Sequence, residues 1–523
     1  MEFFYSLNKR SNLNIPIHLR PMDQTAKLLN QFASSFCLLL LLLLPLIFII
    51  LKHIVTSLSS KRPRLPPGPR PWPIIGNLHQ IGKKLHISVT QFAKVHGPLI
   101  SLRLGSRVVV VGSSPLAATE ILKTHDRLLS ARTIPKVLPY KIHFVDRLAI
   151  VWASSCNERW KFLRALCRTE LFSANAIESQ AALREKKMIE MVEYLSSEQG
   201  QVVNIGEVVF TSVFNTISNL IFSKDLLSFE DQERGSGLKN ATWRLMELTV
   251  APNIADFYPV FAGLDPQGLQ KKMLKYMKEM FSAWEIHIKE RRETHVHGAP
   301  TNDFLDVFLA NDFDDDQINW LTFELFAAGS DTTTTTVEWA MAELLKNKQF
   351  MKKACEELDR EIKRNSIKES DIPQLHFLNA CVKETMRFHP PVPFLVHRAL
   401  ETCEVMNYTI PKDAQVLVNI WAIGRDPSAW EDPLSFDPNR FLGSNIDFKG
   451  HDFELIPFGS GRRNCVGQSM ATRQLHLILG SLMHFFDWSL PNGEDSVNLD
   501  LSEKFGLTLQ KEQPLLLVPK RKL

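Results

Sequence analysis

The 523-residue sequence lacks the cysteine pattern of a disulfide-stapled or zinc-bearing protein. Its seven cysteines, at 37, 156, 167, 355, 381, 403 and 465, are odd in number, scattered and without a C-x-x-C pair. Six read as small apolar residues of a reducing compartment. Cys465 stands apart, because its neighbours are Gly, Arg and Asn rather than core residues. An excess of one charge is missing too: 61 Lys+Arg face 57 Asp+Glu, too even a balance for a nucleic-acid partner. Beyond about Ile74 there is no internal repeat and no long Gly/Ser linker, which favours one large domain. The glycines at 76 and 82 are mis-spaced for a phosphate loop, and Gly467–Ala471 lacks the second glycine of a nucleophile elbow. No flavin or nicotinamide site is evident. With 45% hydrophobic and 23% charged residues, wholesale disorder is excluded.

What is present begins with an uncharged run from Leu28 to Leu51, leucine-dominated from Phe32 onward. About 20 apolar residues suffice to cross a bilayer as a helix. A cleaved signal peptide would carry a shorter apolar region. Lys52, Lys61, Arg62, Arg64 and Arg70 follow, so the positive-inside rule places the bulk of the chain in the cytosol. The expected order is a tail (1–31), a single transmembrane anchor (32–51), a basic, proline-rich linker (52–73) and a catalytic domain (74–523). Met22 offers a second start before a complete anchor; the competing reading of residues 1–21 is a weak organelle-targeting segment. Pro66-Pro67-Gly68-Pro69 and Arg70-Pro71-Trp72-Pro73 form a stiff spacer.

The body reads as mainly α. Amphipathic periodicity predicts helices over Ala181–Leu195, Leu269–Arg292, Asp316–Lys346, Phe350–Arg364 and Ser469–Phe485, with β-rich runs at Leu99–Gly112, Thr409–Val418 and Leu507–Val518. His295 and His297 fall in a charged loop expected to face solvent.

Four motifs carry chemistry. Phe458-Gly459-Ser460-Gly461-Arg462-Arg463-Asn464-Cys465-Val466-Gly467 combines turn-forming glycines with a cysteine ahead of a helix, whose amides and dipole would favour an anionic sulfur. Arg463 can neutralise an acidic group on a flat ligand. Ala328-Gly329-Ser330-Asp331-Thr332-Thr333 opens five consecutive threonines inside a helix, where they and the glycine together cost roughly 3–4 kcal/mol relative to alanine. Either the hydroxyls bond preceding carbonyls in a buried helix, or the helix opens locally. Glu384-Thr385-Met386-Arg387 places acid and base on one helix face, ahead of Phe436-Asp437-Pro438-Asn439-Arg440-Phe441. Trp160-Lys161-Phe162-Leu163-Arg164 spaces an indole and a guanidinium one helical turn apart.

The F-x-x-G-x-R-x-C-x-G loop resembles the haem-binding loop of cytochromes P450, and the resemblance runs from about Pro66 onward. It implies a large helical domain with small β-sheets, haem b held by the Cys465 thiolate, and a loop shaped by Phe458, Gly461, Arg463 and Gly467. It implies propionate contacts from Trp160, Arg164 and Arg398, with His397 departing from the usual proline and either lining the pocket or bonding locally. Asp331 and Thr332 become the acid–alcohol pair delivering protons where dioxygen is activated, in an opening of their helix. Glu384, Arg387 and Arg440 become a structural triad supporting the haem loop, with Asn439 replacing the glutamate common in plant members. By analogy the pocket takes Phe144, Val145, Leu325, Ala328, Val392, Phe394, Val396 and Phe505, with Asp146 either a counter-charge for a protonated amine or an ordinary loop acid. Electrons are implied to come from NADPH through a membrane-bound NADPH–cytochrome P450 reductase, docking on Arg159, Lys161, Arg168 and Arg462. The implied location is the endoplasmic reticulum membrane, with Phe257–Phe261 either dipping into the bilayer or packing in the core.

Cys167–Ser173, Ile177–Gln180, Arg184–Lys187 and Asn215–Lys224 resemble a plant alkaloid branch comprising N-methylcoclaurine 3′-hydroxylase, corytuberine synthase, berbamunine synthase and littorine mutase. The resemblance implies a small hydrophobic amine as substrate and leaves three reactions open: hydroxylation of a benzylisoquinoline, oxidative C–C or C–O phenol coupling, and rearrangement or hydroxylation of a tropane precursor. A non-catalytic haem sensor would leave Asp331 and Thr332 without a role.

Overall fold

The computed structural model describes residues 64–522, apart from 141, 231, 295–301 and 365, together with positions 36, 39, 43 and 47. These last four are helical; the rest of the expected anchor, both candidate start sites, linker residues 52–63, and His295 and His297 lie outside the described residues. Residues 1–63 and 64–523 form separate compact units.

Among the described residues, ten helices of twelve or more residues build the second unit. They are α1 (Leu85–His96), α2 (Glu158–Glu170), α3 (Ala181–Ser197), α4 (Ile205–Phe222) and α5 (Gln232–Val250). They continue with α6 (Leu269–Thr294), α7 (Asp315–Lys346), α8 (Lys348–Glu361), α9 (His376–Phe388) and α10 (Gln468–Phe485). The predicted helix over Phe350–Arg364 is displaced, because α8 starts directly after Asn347 and ends where Ile362 turns extended.

One sheet has the order β1 (Leu99–Leu104), β2 (Arg107–Gly112), β4 (Gln415–Asn419), β3 (Phe394–Arg398). β1–β2 and β3–β4 pair antiparallel and β2–β4 parallel. The run predicted over Thr409–Val418 breaks in two: Tyr408–Ile410 pairs with Cys403–Val405, and after Pro411 the chain turns through Asp413 at φ 66° into β4. Leu507–Val518 also divides, between the small hairpin β5 (Glu503–Lys504) with β6 (Gln510–Lys511) and the strand Leu516–Arg521.

α7 organises the interior. Asp314 caps it, with Gln317 completing a reciprocal capping box, and Asp315 and Asp316 favour the positive end of its dipole. α4 has mean hydropathy 1.4 and is long enough to cross a membrane, yet it is 78% buried and lies against α7 as a core helix. Gly329 permits that contact: a Cβ there would sit 2.7 Å from Ile217 Cδ1. Phe214 and Trp284 stack on Phe326 at 4.2 and 5.4 Å, tying α4 and α6 to the same helix. The threonine run pays little here, because Thr332, Thr333 and Thr336 donate to the carbonyls of Ala328, Gly329 and Thr332. α7 is therefore helical without interruption, and the opening expected at Asp331–Thr332 is absent.

Candidate active site

The cysteine loop closes on itself through Cys465 N–H donating to Phe458 O at 2.8 Å. Gly459 and Gly461 hold φ near +73° and +69°, and a Cβ on Gly461 would lie 2.4 Å from Leu122 O. Gly467 differs from that expectation: its φ is −88°, and a Cβ would meet only the Phe172 ring at 3.7 Å. α10 starts one residue later. Burial pushes the Cys465 thiol up, while the Gly467 amide, the Arg164 charge and the Gln468 amide pull it back toward thiolate. The sulfur is solvent-accessible although protein surrounds it, so it faces an internal cleft rather than bulk water.

A second accessible surface lies inside the protein. Leu325, Ala328, Gly329 and Thr332, spaced i, i+3, i+4 and i+7, form an accessible stripe on a helix otherwise buried along its middle. Thr332 is on this stripe. Asp331 is not: it is 1% exposed, accepts from the Thr508 hydroxyl, and accepts from Gln510 Nε2 at 2.9 Å. Burial pushes its carboxyl up and those two donors lower it.

Four arginines converge near the loop. Arg463 donates to the carbonyls of Ser130, Ile150 and Ala153 at 2.8, 3.2 and 2.8 Å, with its guanidinium 4.8 Å from the Trp160 ring. Arg164 donates to Asn464, and Trp160 Nε1 donates to Ile150 O at 3.0 Å. Arg398 reaches Arg132 O, Ser154 O and the Asp413 carboxylate. Arg132, which sequence reasoning missed, is pushed down to about 10 by burial and by Arg463; its Nη1 donates to Val151 O at 2.8 Å, and its buried Nε has no partner. The buried acid acting on this cluster is Glu324, also missed. Its carboxylate accepts the amides of Ile150, Val151 and Trp152 at 2.6, 3.0 and 3.2 Å. The segment 150–154 is thus bonded through its amides to Glu324 and through its carbonyls to the arginines and Trp160. A lone acid in the apolar stretch Trp320–Ala328 was the available signal for Glu324; Arg132 has none.

An accessible sulfur, an accessible stripe and an excess of buried guanidinium with an unpartnered donor fit a flat, doubly acidic group carrying a thiolate-binding metal. His397 is not a ligand candidate: its Nδ1 bonds Leu129 O at 2.9 Å, and burial with neighbouring Arg132 pushes the imidazole down to about 3.

Glu384, Arg387 and Arg440 come together. Arg387 donates to both Glu384 oxygens at 2.6 and 2.7 Å, and Arg440 Nε donates at 3.1 Å. The spare donors of both arginines bind carbonyls of Gly424 and residues 431–435. Asn439 instead accepts from Lys353 at 2.7 Å.

A cavity of about 670 Å³ is lined by Val392, Phe394, Val396 and Phe505, with Thr508 and Gln510. Leu325 and Ala328 belong to the α7 stripe. Phe144 stacks on Tyr140 at 4.8 Å, and Val145 is fully buried in the core rather than lining that cavity. Asp146 is half-buried, its carboxylate accepting from the amide and hydroxyl of Ser154, and it does not line that cavity. Within Phe257–Phe261 core packing fails for Val260, 80% exposed, and Phe261; Leu264 and Ile254 extend the apolar patch. Of the basic docking residues, Lys161 is paired with Glu158, Arg462 with Asp126, and Arg168 is exposed.

(S)-N-methylcoclaurine 3′-hydroxylase isozyme 1 of Papaver somniferum is 50% identical over 87% of this chain and 95% of its own length. Corytuberine synthase of Coptis japonica is 46% identical over 91% and 96%. Geraniol 8-hydroxylase of Catharanthus roseus is 41% identical over 92% and 99%. The Cytochrome P450 family model matches residues 66–518, and the chain belongs to that family.

Proposed function

We propose that this protein is a haem-thiolate monooxygenase of plant specialised metabolism that hydroxylates a benzylisoquinoline alkaloid such as N-methylcoclaurine. Cys465 is the iron ligand. Arg132, Trp160, Arg164, Arg398 and Arg463 would hold the propionates, while Phe458, Gly461 and Gly467 shape the loop. Haem b, once bound, supplies dioxygen activation, with electrons drawn from NADPH by way of the reductase. The chain's own residues do the rest. The Gly467 and Gln468 amides and the Arg164 charge favour the anionic sulfur against the burial that opposes it. The guanidiniums offset two carboxylates, and Glu384, Arg387 and Arg440 brace the loop from behind. Asp331 takes up protons and passes them to the Thr332 hydroxyl on the accessible stripe. Val392, Phe394, Val396 and Phe505 give an apolar, aromatic wall suited to a greasy amine. Residues 32–51 anchor the chain in the endoplasmic reticulum membrane, with the patch around Val260 resting on the bilayer surface and the face bearing Arg159 and Arg168 meeting the reductase.

The observation that carries this reading is the 47–50% identity to (S)-N-methylcoclaurine 3′-hydroxylases across most of their length. Microsomes containing the protein and reductase, incubated with N-methylcoclaurine, NADPH and labelled dioxygen, are expected to yield a product carrying one labelled oxygen. A second reading, oxidative phenol coupling, is favoured by the likeness to corytuberine synthase. A dehydrogenated product with no labelled oxygen would select it and sink hydroxylation.

A further inference from the structure

Asp331 and Thr332 are neighbours in sequence but face different surroundings. The Thr332 hydroxyl donates back to Ala328 O on the accessible stripe of α7. The Asp331 carboxylate has both oxygens bonded to the β5–β6 hairpin: Thr508 donates to one and Gln510 to the other. That hairpin is also a wall of the 670 Å³ cavity, through Phe505, Leu507, Thr508 and Gln510. Two other α7 side chains grip the hairpin and the segment that follows it. Trp339 Nε1 donates to Leu509 O at 2.7 Å, and Glu338 accepts from Leu515 N–H at 2.8 Å. Those contacts dock the hairpin without Asp331. The two donors to Asp331 are therefore surplus to docking, and they fall on the buried carboxylate adjacent to Thr332 of the accessible stripe.

We propose that Thr508 and Gln510 are positioning residues that fix the Asp331 carboxylate, so that the wall sensing the contents of the pocket also governs proton supply to Thr332. This deepens, and rests on, the reading of Asp331 as the proton-delivering acid. A substrate pressing on Phe505 and Leu507 shifts the hairpin, and the carboxylate shifts with it because it is bonded there at both oxygens. Both donors also favour the ionised form, which is the form able to take up a proton. The charged group that acts on it is Lys504 on the hairpin, which supports ionisation; Glu338, seven residues along α7, is itself pushed up by Asp331 and countered by Lys511.

The test uses the full-length protein with reductase in microsomes and N-methylcoclaurine as the probe. Thr508→Val and Gln510→Leu each remove one donor while leaving the other and the Trp339 and Glu338 contacts in place. Each is expected to keep the haem spectrum and to change KM by less than about twofold. Product formed per NADPH should fall about three- to tenfold, hydrogen peroxide release should rise, and the acid limb of the pH profile should move up by roughly one unit. Thr508→Ser, which retains the donor, should restore all three. Asp331→Asn separates the two levels of the claim. If it leaves product per NADPH unchanged, the proton-delivery reading falls and this inference with it. If it lowers product per NADPH while Thr508→Val and Gln510→Leu raise KM alone, with coupling and acid limb unmoved, the hairpin donors are tethers and only this inference is overturned.

Discussion

Arg132 meets three other guanidiniums with its Nε buried and unpartnered, a cost that an acidic group on a bound ligand would remove. Arg132→Leu is expected to release haem about tenfold faster, since a hydrogen bond to a charged group is worth roughly 1.5–3 kcal/mol. Transfer of haem to an acceptor globin measures this, and equal rates would remove Arg132 from the cradle. His397 gives a pH prediction at the same scale. Its folded value is pushed down to about 3, below an unfolded value near 6.5. Between those limits the unfolded chain binds the extra proton, so stability falls as pH drops from about 6.5 toward 3. His397→Asn should flatten that slope by up to roughly 1 kcal/mol per pH unit in urea titrations; an unchanged slope would mean the imidazole is not the responsible group. Residue-level legibility tracked sequence spacing. The loop around Cys465 and the pair Glu384–Arg387 were readable because their members are close in sequence. Arg132 and Glu324 acquire a role only when the segment 150–154 is folded between them, and no local pattern encodes that.

Among the elements, α7 shows how far periodicity reaches and where it stops. Its span was legible to within one residue, since its acids and apolar positions repeat helically. The opening expected from its weak helix formers was not there, because hydroxyl back-bonding and burial compensate for poor propensity. The β-rich runs blurred for another reason: alternation continues through Pro411 and Pro514, while pairing changes partner there. Gly329 supplies the test for this scale. Gly329→Ala, whose Cβ meets Ile217 Cδ1, is expected to cost about 1–3 kcal/mol by overpacking. Adding Ile217→Val removes the offending methyl and should recover most of the loss in thermal denaturation. No recovery would mean that α4 and α7 are held apart by something else. Glu324→Leu, which strips three amides of their acceptor, should destabilise the protein by about 3 kcal/mol and lower haem occupancy together.

For the whole molecule, the two compact units make a separable prediction. A chain lacking residues 1–63 is expected to bind haem normally and, in salt-washed fractionation, to leave the membrane pellet only in part, because Val260, Phe261 and Leu264 remain exposed. Adding Val260→Asp and Leu264→Asp should complete its release. Full release from the first truncation alone would assign all membrane contact to the anchor.

The pairing of Arg164 with Asn464 spans 300 positions, and that of His86 with Glu503 spans 417. Read in the order of synthesis, Arg132 and Arg164 emerge first, α7 follows, and Arg398, Arg463 and Cys465 come after both. Until Arg398, Arg463 and Cys465 have been made, Arg132 and Arg164 wait with half of their cluster missing, and closing such distant contacts is slow. Cofactor loading thus waits for a segment made after α7. A cell short of haem would accumulate chains with a charged, unfilled interior, which makes them natural clients for chaperones and early targets for degradation.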